Sequence, residues 1–467
     1  MRVALIHCPF EHRPFSENIQ VVDKEFCLAP PIILAYVAAI IERAGHTVTI
    51  IDANALRSSK EQALKSIQRF QADIIAFRAD TYWFHRTVEW ASFFKERTAA
   101  TILVGGINVS LYPQESLAYR CFDYGIIGEA FRSLPLLLSG LEKGLAPHQV
   151  PGLAYRSEGA VRCNPPDAEP VKFDEYPFPA RHLLPNHRYS SFTSQRKNFT
   201  IVLTNTGCPY SCLFCAIHKQ PFRLRSAQNV ADEIEECCRS FHIREIDFFS
   251  ASFFIDKALA MGICDEILKR KLRVEWSCRS RVDEVDEECL QKAFAAGCRK
   301  IYYGIESASP SILSNISKNT DPKRIRHAIE QTRKAGIATL GFFMIGAPGE
   351  TRESINASIQ FAQELKLDYV QVCRMIAKPN TCLTDQLVQH AGSDPWREYI
   401  LDQHCAPDAL TPWTSFSKAE LLQEIKRFYR EFYFRPSYLV RRISRTRSWS
   451  ELARYVSVAA KFLFQSV

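Results

Sequence analysis

From about residue 198 onward, short apolar runs and helical periodicities alternate six times, and this alternation constrains the chain most. Strand signals fall at Phe199–Thr204, Glu245–Phe249, Val274–Ser277, Lys300–Gly304, Thr339–Ile345 and Tyr369–Val372. Helical patterns fall between them, at Val230–Phe241, Lys257–Leu272, Asp286–Ala296, Pro322–Ala335 and Glu353–Leu365. Runs that are apolar throughout are buried on both faces, as in a parallel sheet covered by helices. Six consecutive β-α units predict a parallel β/α barrel short of the eight units that close one. A partial barrel keeps a lateral opening, which suits a large substrate.

The first ~135 residues alternate in the same way. Val3–Ile6, Thr47–Ile51, Asp73–Phe77, Thr101–Val104 and Tyr124–Ile127 read as strands, with helices at Ile32–Arg43, Lys60–Phe70, His85–Glu96 and Pro113–Tyr119. This predicts an open, doubly wound, flavodoxin-like sheet, a fold that binds ligands beyond the carboxyl ends of its strands. Gly105, Gly106 and Asn108 lie in one loop at such an end, and Gly128-Glu129 in another. Glycine there admits a ligand close to the backbone, and equally serves a plain turn. Prolines at 151, 165, 166, 177, 179 and 185 mark a linker, with a hairpin around 153–162. The tail loses the β pattern: 419–433 is amphipathic and 435–447 is rich in arginine. The expected division is 1–135, 136–195, 196–385 and a helical, basic 386–467.

Composition narrows the class. With 46% hydrophobic and 24% charged residues, the 467-residue chain is not a disordered one. The longest apolar run, Leu28–Ile41, is interrupted by Pro30-Pro31 and is too short to span a bilayer. No export-signal core follows Met1-Arg2, so a cytoplasmic protein is expected. The net charge of +8 admits an anionic partner without calling for nucleic acid. Sixteen cysteines in such a chain point to metal or redox use before disulfides.

Most of those cysteines stand singly among apolar residues and read as small buried hydrophobes. Cys208, Cys212 and Cys215 differ. They fall within eight residues, directly after the first barrel strand and at the rim where barrel enzymes work. Three thiolates on one loop select zinc or an iron–sulfur cluster. His218 offers a fourth ligand for a closed zinc site, the alternative at this point.

The C-x3-C-x2-C spacing, with Phe214 before the last cysteine, resembles the radical S-adenosylmethionine superfamily. Further segments resemble its cobalamin-dependent branch: Arg223-Leu-Arg225-Ser226, Arg281-Val-Asp283, Gly304-Ile-Glu306-Ser307, and Gly346-Ala-Pro348-Gly349-Glu350 in the barrel. Gly105-Gly106-Ile107-Asn108, Gly128-Glu129 and Pro151–Arg156 add to this in the N-terminal half. The resemblance covers most of residues 1 to ~385. It implies that Cys208, Cys212 and Cys215 hold a [4Fe–4S] cluster, one iron of which takes the amino and carboxylate groups of S-adenosylmethionine. It also implies Glu306 as an acceptor for a ribose hydroxyl, Arg281 as the partner of the carboxylate, and Gly346 with Pro348 beside adenine. Residues 1–135 would hold cobalamin.

Two departures stand out. The branch commonly carries acidic residues after the second strand for the amino group, whereas this chain has Phe249-Ser250-Ala251-Ser252-Phe253. Ser250, Ser252 and backbone carbonyls are the groups left to serve. Second, the Asp-x-His-x-x-Gly motif that supplies a cobalt ligand in other cobalamin domains is absent from His7–His12, so no protein histidine, His12 included, is expected on cobalt. The implied reaction is a radical methyl transfer to an unactivated carbon of a secondary metabolite, lipid or tetrapyrrole, fed by a flavodoxin- or ferredoxin-type one-electron reductant. Alternatives are ring closure or rearrangement on the same cofactors, a tRNA methylthiotransferase, which would need a second cluster from residues such as Cys8, Cys27 and Cys121, and a zinc-stapled binding protein. The basic tail further suggests peripheral contact with an anionic membrane.

Overall fold

The computed structural model describes residues 1–9, 18, 27–167, 171–191, 194, 196, 198–405, 407 and 411–445. The chain divides into two compact units. The first gathers the opening strand, Pro30–Tyr189 and Ala391–Pro407; the second is built on Ser190–His390 with the later C-terminal helices.

The first unit holds a sheet ordered Thr47–Asp52, Arg2–His7, Ile74–Arg78, Thr101–Gly105, Tyr124–Ile126, Leu153–Ser157 and Ala160–Cys163. The first five strands are parallel, in the flavodoxin order 2-1-3-4-5. The hairpin expected within the linker pairs antiparallel onto the fifth strand and extends this sheet. Ile6, Ile75, Phe77, Ile102 and Val104 are buried beneath the helices. The helix Pro395–Leu401 joins the same core, far along the chain from the rest. Trp396 is fully buried with its ring edge-on to Tyr82, and Tyr399 meets His85. The tail is therefore not one region: Ala391–Pro407 belongs to the first unit.

The second unit is the six-stranded parallel sheet the alternation predicts. Its order is sequential: Phe199–Val202, Glu245–Phe248, Glu275–Ser280, Cys298–Glu306, Ala338–Ile345 and Tyr369–Arg374. Among the described residues the first and last strands do not pair, so the barrel is open. Its helices begin on side-chain caps: Ser226, Asp256, Asp286, Asp321 and Thr351 each accept a backbone N–H from the first turn.

The open edge is covered by the C-terminal helix Lys418–Tyr433, whose Leu421, Ile425, Phe428 and Phe432 are buried in the barrel core. Tyrosines of this helix and of the following helix, Pro436–Arg445, also occupy polar groups along and just before the edge strand. The Tyr433 hydroxyl accepts from Val370 N–H and donates to Val370 C=O, both at 2.9 Å. Tyr429 accepts from Val372 N–H at 2.9 Å, and Tyr438 donates to Asp368 C=O at 2.9 Å. A bare strand edge would template further pairing, and the hydroxyls prevent it. The apolar stripe of 419–433 is thus spent on the protein's own core. Arg447 and the side chains of Arg442 and Arg445 lie outside the described residues, as does His12. Among the described residues no helix is long and apolar enough to cross a membrane.

Candidate active site

The cysteine loop springs from the carboxyl end of the first barrel strand. Its base is pinched by a two-residue ladder in which Asn205 and Thr206 pair antiparallel with Leu224 and Arg223. Gly207 opens the loop at φ 67°, and a Cβ there would lie 2.6 Å from the carbonyl oxygens of Gln220 and Pro221, so only glycine permits this turn. Leu213 anchors the loop's middle: its N–H donates to Ile316 C=O and its C=O accepts from Leu383 N–H. Phe214 packs into an apolar cluster with Ile312, Ile316, Ala347 and Met375, which brings the Gly346–Pro348 turn to the back of the cysteine loop.

Cys212 is buried, and Cys208 and Cys215 are half-buried. Burial pushes the Cys208 and Cys212 thiols up, and the neighbouring thiols raise Cys208 further. The cations Lys318 and Arg281 pull Cys212 back towards the thiolate. Among the described residues no three His, Cys, Asp or Glu side chains are drawn to the spacing of a single metal ion. His218, the fourth ligand of the zinc alternative, sets its Nε2 3.8 Å from the Cys382 sulfur. The donors this loop offers are three thiols, with the charges of Lys318 and Arg281 acting on one of them, a set that suits an anionic, thiolate-ligated iron–sulfur group.

Around this loop the structure collects the third, fourth and second strand ends. Glu306 ends the long fourth strand at a bulge, buried, with φ at 66°. Its Oε1 accepts from the Lys318 ammonium at 2.8 Å, with both side chains 8% exposed. Burial alone would push Lys318 towards neutrality, but Glu306 outweighs it and holds the ammonium above its ordinary range. Gly304 makes room for the pair, since a Cβ there would lie 2.6 Å from both Glu306 Oε1 and Lys318 Nζ. Lys318 escaped the sequence reading because it sits in a Ser-Lys-Asn turn, Ser317–Asn319, that carries no motif. Its flanks, Ser317 and Asn319, both adopt the left-handed conformation.

Arg281, expected to meet a carboxylate, already makes a two-pronged pair with Asp283 at 2.8 and 2.9 Å. It also donates to Lys318 C=O and stacks over Tyr210 at 4.0 Å. Ser250 is a knot between strands: its oxygen accepts from Thr204 N–H and the Thr204 hydroxyl at 2.8 and 2.9 Å. Ser252 is buried, donates to Glu284, and has its C=O held by Asn205 at 2.9 Å. In the Gly346–Glu350 turn, Gly346 C=O accepts from Trp413 and Pro348 C=O from Asn315. Glu350 is buried there and pushed up to about 6.

In the first unit the sheet order reverses between strands Arg2–His7 and Ile74–Arg78, and doubly wound folds bind ligands at that switch. Gly105 C=O accepts from Ala79 N–H, which ties the Gly105-Gly106 turn to the third strand's end. Asn108 is fully buried; its amide donates to Ser116 and its Oδ1 is left without a partner. Gly128 N–H donates to Ser110, and Glu129 accepts from Tyr176. His7 at the end of the first strand is held by Asp52 at 2.9 Å, and Asp52 also accepts from Tyr189. Cys8 and Cys121 are buried with their thiols pushed up, and Cys27 belongs to the second unit.

Comparison with known proteins agrees with this geometry. The radical SAM superfamily model matches residues 202–362, and the B12 binding domain model matches 26–138. A relative described as an uncharacterized methyltransferase, from Pyrococcus horikoshii, is 31% identical over 421 residues, 89% of this chain and 90% of its own. The anaerobic magnesium-protoporphyrin IX monomethyl ester cyclase of Rubrivivax gelatinosus is 25% identical over 421 residues, 88% of this chain and 75% of its own. Among solved structures, the radical S-adenosylmethionine methyltransferase TsrM from Kitasatospora setae, with cobalamin and a [4Fe–4S] cluster bound, superposes with TM-score 0.70 at 18% identity, covering 93% of this chain and 89% of its own. Sheet order, cysteine loop and similarity over about nine-tenths of the chain together establish that it belongs to the cobalamin-binding branch of the radical S-adenosylmethionine enzymes.

Proposed function

We propose that the chain is a cobalamin-dependent radical S-adenosylmethionine methyltransferase that methylates an unactivated carbon of a small molecule or lipid. The observation that carries this reading is the three-cysteine loop at the rim of an open six-stranded barrel, in a chain similar over nearly its whole length to a methyltransferase. When bound, the cofactors supply the electron, the radical and the methyl group. The chain's own residues hold, orient and keep water out. Cys208, Cys212 and Cys215 would carry the cluster, with Lys318 and Arg281 offsetting its negative charge. Glu306 would turn its carboxylate to a ribose hydroxyl while Lys318 holds it in place. Phe214 and Ala347 would fix the adenine-side turn at Gly346 and Pro348 against the cysteine loop.

The reductant is a one-electron donor of the flavodoxin or ferredoxin type. The similarity to a ring-forming cyclase favours ring closure as the second reading. Extract from cells lacking the protein, incubated with reduced enzyme and S-adenosylmethionine labelled in its methyl group, separates the two. Label in a product other than methionine, which keeps the methyl group whenever S-adenosylmethionine is cleaved, supports methyl transfer; a product lighter by hydrogen and free of label supports ring closure. Against a methylthiotransferase, Cys8 and Cys121 are buried thiols, and the described C-terminal elements are helices. Reversible contact with an anionic membrane is part of the proposal only through the helix Pro436–Arg445, which exposes Leu439 and Val440. Co-sedimentation with anionic vesicles at low salt tests it, and protein left in the supernatant ends it.

A further inference from the structure

The amino group of S-adenosylmethionine brings N–H donors into a site shielded from water, and such donors need acceptors. The loop after the second strand offers no carboxylate, since 249–253 reads Phe-Ser-Ala-Ser-Phe. The structure brings one in from the next loop. Glu284, four residues beyond the strand Glu275–Ser280, has its Oε2 at the Ser252 hydroxyl. The same oxygen accepts from Arg281 N–H at 3.2 Å and from the Ser280 hydroxyl at 3.4 Å. Its other oxygen, Oε1, is sealed from solvent, and no hydrogen bond of good geometry reaches it.

A second acceptor is stranded in the same place. Asn205 spends its amide nitrogen on Ser252 C=O at 2.9 Å, and its Oδ1 is buried without a partner. Both orphaned oxygens thus belong to side chains bonded to Ser252. Glu284 also lies beside the cysteine loop, where the Tyr210 hydroxyl approaches its carboxylate. A buried, half-satisfied carboxylate is costly, and a natural chain keeps one where a ligand completes it.

We propose that Glu284 is the acceptor for the amino group of S-adenosylmethionine, with Asn205 Oδ1 as second acceptor and Ser252 as the positioning hydroxyl. The missing acid of the second loop is replaced by one from the third. Burial pushes the Glu284 carboxyl up. This inference rests on the functional reading above, and its test separates the two.

The experiment measures equilibrium binding to the anaerobic, cluster-loaded full chain, with iron content recorded beside it. The probes are S-adenosylmethionine and its deamino analogue, in which hydrogen replaces the amino group. The preference of the wild-type chain for the amino form should shrink roughly ten- to a hundred-fold in Glu284→Gln, the worth of a hydrogen bond to a charged group, while the analogue's affinity holds. Glu284→Asp should keep part of the preference. An equal loss for both probes, or no loss, overturns the assignment. Equal binding of the two probes by the wild-type chain overturns it without any variant, should Glu284→Gln fail to load its cluster. No binding of S-adenosylmethionine by the cluster-loaded wild type would instead refute the functional reading itself.

Discussion

Replacing Lys318 with methionine probes the most confined charge pair at the barrel rim. Glu306 and Lys318 are each 8% exposed and lie 2.8 Å apart, with Gly304 stripped of a Cβ beneath them. Three non-glycine residues, Glu306, Ser317 and Asn319, adopt left-handed backbone to hold the arrangement. Removing the ammonium leaves a carboxylate buried without its counter-charge, a loss of about 3–5 kcal/mol where a buried pair is broken from one side. For a unit of this size that is a fall of roughly 6–20 °C in the unfolding midpoint. Lys318→Met/Glu306→Gln removes both charges and should recover more than half of the loss, because the desolvation penalty goes with the pair. The assay is anaerobic thermal unfolding of the cluster-loaded wild type, both single variants and the double variant. A Lys318→Met midpoint within about 2 °C of wild type, or a double variant no more stable than that single one, would refute the reasoning.

Other outcomes follow from individual contacts. Glu350 has its carboxyl raised from 4.5 to about 6 by burial, so the native state binds its proton more tightly than the unfolded chain does. Its contribution therefore falls as pH rises from 4.5 through 6, and Glu350→Gln should gain about 2 kcal/mol relative to wild type above about pH 7. Parallel pH–stability curves for the two would count against this. Tyr433→Phe strips both hydrogen bonds from Val370, at a cost of about 1–3 kcal/mol, and should speed hydrogen exchange at the Val370 amide; unchanged exchange would show the hydroxyl idle. If cobalamin binds without a protein histidine, electron paramagnetic resonance of the cobalt(II) form will lack nitrogen superhyperfine splitting, and a clear nitrogen triplet would contradict that expectation.

Much of the fold is legible because burial on both faces writes itself as unbroken apolar runs. Ile32–Arg43 and Lys60–Phe70 appear as helices with the limits their periodicity predicts, and six barrel strands follow the six apolar runs. Strand ends are less legible: the fourth runs on to Glu306 and the third to Ser280, because a polar residue at a barrel's carboxyl end interrupts the pattern without ending the strand. The helix Pro395–Leu401 shows why local patterns do not assign a segment to a unit: seven residues carry no periodicity, and Trp396 packs beside Tyr82, more than three hundred positions away. At the site, the cysteines announce themselves by spacing. Lys318 and Glu284 do not, since each is bonded to a partner on a different strand end, Glu306 and Ser252, and only folding brings them together.

The central claim is that the three cysteines arm a cluster that cleaves S-adenosylmethionine. It is tested most directly by following 5′-deoxyadenosine release from the anaerobically reconstituted, reduced enzyme, beside the variant with Cys208, Cys212 and Cys215 all changed to alanine. The account predicts release by the wild type together with about four irons per chain, and neither iron nor release in the variant. Release that persists without the cysteines, or a wild type that carries zinc and releases none, would contradict it.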